Sequence, residues 1–233
     1  MAGAVACSYR PFFMSDPTTI RRLYGRRAGH KLRQGQAALI EELLPQISVP
    51  ETGPIDAMAL FGDDRPLEVE IGFGSGEHLA GQAAMRPGSG FIGCEPFLNG
   101  VVGALAHVRD GGLDNVRLHM GDALEVIERL PDASLERVYL LHPDPWRKAR
   151  HAKRRMVNHG PLDLIHAKLK PGGEFRLGTD DPTYCPPTGP KPAMNAKPGP
   201  RGMRCGTFAI CGSNPAPATP ARLPPAARHP RPI

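Results

Sequence analysis

No apolar run in this sequence approaches the ~18 residues of a membrane span. No CxxC pair occurs. The five cysteines (Cys7, Cys94, Cys185, Cys205 and Cys211) are odd in number, so neither a disulfide framework nor a zinc site is indicated. The histidines show no ligand spacing, and no metal is expected. The opening MAGAVACSYR lacks a basic n-region and has only a short apolar patch, which argues against a signal peptide. A reducing cytoplasm is the expected setting. One absence is regional: residues 182–233 contain no Asp or Glu, yet hold about half of the 27 prolines and three of the cysteines. No helix or strand period survives there. Such a segment cannot repay the entropy of ordering, so residues 186–233 are expected to be a disordered Pro-rich tail.

What is present suits one domain with extensions. The chain has 233 residues, 40 % of them hydrophobic, enough for a stable core. A formal charge of +6 favours an anionic partner such as nucleic acid, although a merely basic enzyme would carry it too. Residues 1–33 form a basic arm, densest at RRLYGRRAGHKLRQG. A helix is predicted over 34–44, broken by PQISVPETGP. Then strands alternate with helices: strands at 67–72, 91–95, 116–120, 137–141 and 174–179; helices at 75–85, 97–109, 122–130 and 162–169, with Gly172 as the last stop signal. This alternation predicts an α/β domain over 34–185, built on a parallel, doubly wound sheet.

Where the first strand turns into the first helix stands EIGFGSGEH. Gly72, Gly74 and Gly76 let the backbone approach a ligand closely. The spacing departs from the dinucleotide fingerprint, and Glu70 and Glu77 flank the loop, where they would repel a phosphate. The acids suit a cationic nucleoside ligand without phosphate, and S-adenosylmethionine is one. Glu95 closes the second strand, where an acid takes ribose hydroxyls. Asp122 follows the third strand and is placed to accept from an adenine amino group.

After the fourth strand comes HPDPWRKARHAKRR. Two prolines fix the backbone around Asp144 in a rigid turn, at the sheet edge where ligands bind. Asp144 would face the transferred methyl group. The cations that follow could bring phosphates to that edge. Trp146 is expected to pack, and His142 to pack or hydrogen-bond.

Together RLYGRRAGHKL, LEVEIGFGSGEHLA, FIGCEPFLNGV, GDALEVI, HPDPWRKARHAKRRMV and LKPGGEFRLGTDD resemble the bacterial tRNA (guanine-N7-)-methyltransferase family over residues 21–181. The resemblance implies a Rossmann-like class I methyltransferase sheet. It also implies methyl transfer from S-adenosylmethionine to N7 of a guanosine in the tRNA variable loop. By that likeness Glu70, Glu95 and Asp122 bind the cofactor, and Asp144 is both cofactor-proximal and catalytic. Lys148 and Asp180 contact the substrate. Arg150, His151, Lys153, Arg154 and Arg155 bind RNA.

The likeness stops after LGTDDPTYC. The family continues with a helix, two more strands and a Thr-Lys-Phe-Glu motif, so the last two strands are expected to be missing. A tail of this composition is what a shifted reading frame in GC-rich DNA tends to give, with impaired activity as the consequence. Two other functions fit parts of the pattern. One is methylation of an exocyclic amine, since PDPW is similar to the acid/Asn-Pro-Pro-aromatic motif of such enzymes, although the middle Pro-Pro is absent. The other is a non-catalytic RNA-binding remnant.

Overall fold

The computed structural model describes residues 29–181, Tyr184 and the backbone of residues 206–211. Helices α1 (Gln34–Glu42), α2 (Leu44–Ile47) and α3 (Ala57–Phe61) precede an alternating array. The array runs β1 (Leu67–Ile71), α4 (Glu77–Met85), β2 (Gly90–Cys94), α5 (Leu98–Gly111), β3 (Val116–His119) and α6 (Ala123–Arg129). It continues with β4 (Leu135–Leu141), a 3₁₀ helix (Ala149–Arg154), α7 (His159–Lys168), β5 (Leu169–Thr179) and β6 (Gly206–Cys211). The sheet order is β3-β2-β1-β4-β5-β6. The first five strands are parallel and β6 is antiparallel to β5.

The five expected strands and four expected helices of the array are all present. Differences at their ends have local causes. Asp122 lies outside α6 because its carboxylate accepts from the Leu124 N–H as an N-cap. The predicted first helix divides at Leu43, and Pro45 sits in the first turn of α2, where its missing N–H costs nothing. Ser48 and Val49 then reach the free edge of β3, where the Val49 N–H donates to the Leu118 carbonyl at 2.9 Å. Gly172 does not stop a helix. The helix ends at Lys168, and KPGG forms a bulge early in β5, with Gly172 at φ +81°. The expected absence of any strand in the tail is corrected at residues 206–211. Their sequence, GTFAIC, is rich in β-forming residues, and its backbone pairs along Glu174–Thr179. One of the two strands expected to be missing therefore has a counterpart at this edge. The rest of the tail, and residues 1–28 of the basic arm, lie outside the described residues.

Strand β1, LEVEI, shows how both faces are covered. Leu67, Val69 and Ile71 enter a core shared with Ile92, Val126, Ile127, Val138, Leu140 and Ile165. On the other face Phe91, Leu79, Val101, Leu105, Val108 and Leu118 form a second core under α4 and α5. Glu68 is 1 % exposed on that face. A buried carboxylate demands partners. It has three: Arg86 Nη2 at 2.8 Å, Arg137 Nη1 at 3.1 Å and the Tyr139 hydroxyl at 2.9 Å.

Candidate active site

The sheet order reverses at β1, which has β2 on one side and β4 on the other. The loops after β1 and β4 therefore diverge and open a crevice at the carboxyl ends of the strands, the usual ligand position in such sheets. The glycine loop and the HPDPW turn are these two loops.

The glycine loop is shaped by its backbone. Gly72, Gly74 and Gly76 have φ of +68°, +60° and +87°, a region that L side chains rarely adopt. The loop also sits directly on α5. A Cβ on Gly76 would stand 2.6 Å from that of Ala104. Conversely, a Cβ on Gly100 would collide with the Gly74 carbonyl, and one on Gly103 would stand 2.7 Å from the Ser75 carbonyl. Gly100 and Gly103 were not singled out in the sequence; their signal is the small residue recurring every three positions in NGVVGAL.

Glu95 ties the loop to the second strand. One carboxylate oxygen accepts from the Gly74 N–H at 2.9 Å and the other from the Phe97 N–H at 3.0 Å. Burial raises its pKa above the ordinary value, those two backbone donors oppose the rise, and the charge of Asp144 adds to it. Glu95 and Asp144 thus feel each other across the crevice, one from β2 and one from β4. Each oxygen of Glu95 keeps a further lone pair for a ligand hydroxyl. Glu70, 3 % exposed, meets His78 Nδ1 of α4 at 2.8 Å. Asp122 spends one oxygen on capping α6 at 3.0 Å. The carboxylates of Glu95 and Asp144, together with the positive-φ loop, suit the cationic nucleoside cofactor that the resemblance implies.

The HPDPW turn is held differently. His142 and Trp146 have φ of +50° and +40° and bracket Asp144, whose side chain is exposed. The His142 N–H donates to the Gly178 carbonyl of β5 at 2.7 Å, and its Nδ1 lies 3.9 Å from the exposed Asp180 carboxylate. The Tyr184 hydroxyl donates to the Asp144 carbonyl at 2.5 Å. Arg155 donates through Nε to the Pro145 carbonyl at 2.9 Å and through Nη2 to that of Trp146 at 3.3 Å. Arg147 donates to Asp181, 5 % exposed, at 2.8 Å. Asp181 and Tyr184 were not among the expected site residues, and nothing local marks them.

These contacts divide the basic tract. Lys148, Arg150 and Lys153 are exposed on or beside the 3₁₀ helix. Arg154 lies over the Trp146 ring at 5.0 Å, and His151 stands edge-on to it at 5.7 Å. Partial burial, then the charges of Arg154, Arg150 and Lys148, hold the His151 imidazole below its ordinary pKa. Arg155 faces inward. At the other side of the crevice Asn99, in the first turn of α5, fixes the end of the basic arm. It accepts from the Gly29 N–H at 2.7 Å and donates to the His30 carbonyl at 3.1 Å.

Residues 64–187 match a family model described as "Putative methyltransferase". Three curated relatives are named tRNA (guanine-N(7)-)-methyltransferase. That of Zymomonas mobilis is 66 % identical over 73 % of this chain and 74 % of its own. Those of Novosphingobium aromaticivorans and Sphingopyxis alaskensis are 67 % and 66 % identical, each over 72 % of this chain and 73 % of theirs. Among solved structures, the 16S rRNA methyltransferase KamB overlays with a TM-score of 0.41 at 18 % identity, covering 66 % of this chain and 71 % of that one. The fold assignment rests on the strand order and not on that overlay.

Proposed function

The chain belongs to the tRNA (guanine-N(7)-)-methyltransferase family, and from that premise we propose that it methylates a guanosine of the tRNA variable loop with Asp144 as the catalytic residue. It is an S-adenosyl-L-methionine-dependent enzyme, and tRNA is its substrate. When bound, the cofactor supplies a methyl group on a positively charged sulfonium. Gly72, Gly74 and Gly76 form the backbone cradle for it. Glu95 takes the ribose hydroxyls, Asp122 the adenine amino group, and Glu70 supports the loop through His78.

The observation that carries this reading is that the positive-φ glycine loop, tied to Glu95, and the turn bearing Asp144 flank the point where the strand order reverses. Guanine N7 carries an exposed lone pair and no proton, so no general base is needed. The work is positioning. Asp144 accepts from a guanine N–H on the edge opposite N7 and so aims N7 into the crevice. Its negative charge also favours the cationic ring that N7 methylation creates. Asp180 and Lys148 flank the entering nucleotide, while Arg150 and Lys153 take phosphates of the RNA. No helix among the described residues is long and apolar enough to cross a membrane, and we assign the reaction to the cytoplasm.

The test is to incubate the purified protein with unmodified tRNA and isotope-labelled cofactor, then map the methyl group by mass spectrometry. The expected product is one N7-methylguanosine in the variable loop. A methyl on an exocyclic amine, or tRNA binding with no transfer, overturns the proposal.

A further inference from the structure

We infer that Arg155 and Tyr184 are positioning residues for Asp144: they clamp the three consecutive carbonyls of the turn that carries it, so Arg155 acts inside the enzyme and not on RNA. The inference rests on the proposed catalytic role of Asp144.

The hydrogen bonds cover the turn without a gap. Tyr184 takes the Asp144 carbonyl, and Arg155 takes those of Pro145 and Trp146 with two different nitrogens. A planar guanidinium presents separate donors that serve two neighbouring carbonyls at once. The guanidinium also lies 5.5 Å from the Tyr184 ring centre, so the two clamps brace each other. Tyr184 is buried, burial raises its phenol pKa, and its hydroxyl is protonated and free to donate at neutral pH as in any tyrosine.

The turn needs such a clamp. His142 and Trp146 both hold positive φ, a strained conformation for a non-glycine residue. Pro143 and Pro145 lack N–H groups, so the turn cannot close on itself through those positions. Its carbonyls must be held from elsewhere, and the donors come from ten residues and forty residues further along the chain.

The sole tryptophan of the protein, Trp146, lies in this turn, so its fluorescence reports the clamp in the free enzyme. The variants are Arg155→Lys, Arg155→Gln, Tyr184→Phe, Lys153→Ala and Asp144→Ala in the full chain. Cofactor affinity and melting temperature verify folding; Tyr184→Phe removes one hydroxyl and is the milder probe. Arg155→Lys and Tyr184→Phe should each make Trp146 more accessible to acrylamide quenching. Each should also lower the single-turnover rate at saturating tRNA by roughly tenfold to a hundredfold. The tRNA dissociation constant should stay as in the parent, and its salt slope should stay so even in Arg155→Gln, which removes the charge. Lys153→Ala should instead flatten the slope, by about 0.7–0.9 if it touches one phosphate. The inference is overturned if Arg155→Gln flattens the slope, or if Arg155→Lys leaves quenching and rate unchanged. If Asp144→Ala keeps the parental rate, the catalytic reading itself fails, whatever Arg155 does.

Discussion

The two loops that line the crevice are stabilised in opposite ways. The loop after β1 is shaped by what its residues lack: three glycines without Cβ atoms take positive φ, and two more on α5 let backbone meet backbone. The turn after β4 is shaped by what distant side chains supply. Two prolines remove donors, two non-glycine residues hold positive φ, and Arg155, Tyr184 and the Arg147–Asp181 pair hold the result. A backbone-shaped loop gives a cofactor a fixed seat. A turn held by side chains aims one carboxylate, and it can lose its aim without loss of the fold.

That contrast can be broken most severely at its functional end. Asp144→Ala should lower the single-turnover rate by roughly a hundredfold or more, the scale of lost positioning. Cofactor affinity should change only a few-fold. A near-normal rate would remove Asp144 from the chemistry.

On the other side of the crevice, Gly100→Val drives a side chain into the Gly74 carbonyl. Overpacking of this kind costs about 1–3 kcal/mol, and its effect should appear as weaker cofactor binding and a lower melting temperature. Titration calorimetry on the free protein measures the first. Unchanged affinity would mean that the loop does not depend on its seat on α5.

Glu95 links the two loops, and its pKa sets a pH dependence. The folded protein holds the Glu95 proton more tightly than the unfolded chain does. Between the unfolded and the raised folded pKa, stability therefore falls as pH rises, and the ionised form costs stability at neutral pH. In the proposed role, cofactor binding uses the carboxylate. Affinity should thus drop as pH falls through the raised pKa, at a higher pH than an ordinary glutamate would give. Glu95→Gln should bind more weakly at neutral pH and lose this pH step. Calorimetric titration across the acid range in both proteins tests it, and identical pH profiles would assign the step to another group.

The smallest effect on the chemical step is expected from the outward cations. Replacing Lys148, Arg150 and Lys153 together by Ala should flatten the salt dependence of tRNA binding by about two to three in log–log slope if each touches one phosphate. Filter binding over a salt series reads this directly. An unaltered slope would move the RNA surface to the basic arm, whose residues Gly29 and His30 are held by Asn99.

Much of this could be read along the chain, and the reasons are local. The alternating run LEVEI marks a strand because alternate residues face opposite sides of a sheet, and the short apolar run in RVYLL marks a strand buried on both faces. EIGFGSGEH marks a close-approach loop because only glycine takes its φ values without strain. The density of cations after PDPW marks a tract that keeps several of its charges at the surface, since like charges side by side are tolerated near water. By the same logic GTFAIC, short and rich in β-formers, held a strand signal that its Pro-rich surroundings obscured.

What tertiary structure alone decided is how the tract and the acids are used. Arg150, Lys153, Arg154 and Arg155 are interchangeable as sequence: four cations within six positions. Folding turns Arg150 and Lys153 outward, lays Arg154 on Trp146 and points Arg155 at two carbonyls. Asp180 and Asp181 are neighbours in the chain, yet one is exposed and the other is buried against Arg147. The chain itself determined the strands, the glycine loop and the proline turn, because backbone geometry and side-chain period are properties of adjacent residues. It could not determine which cation is held against the proline turn and which faces solvent, because that depends on partners brought together only when β4, β5 and Tyr184 converge at one edge of the sheet.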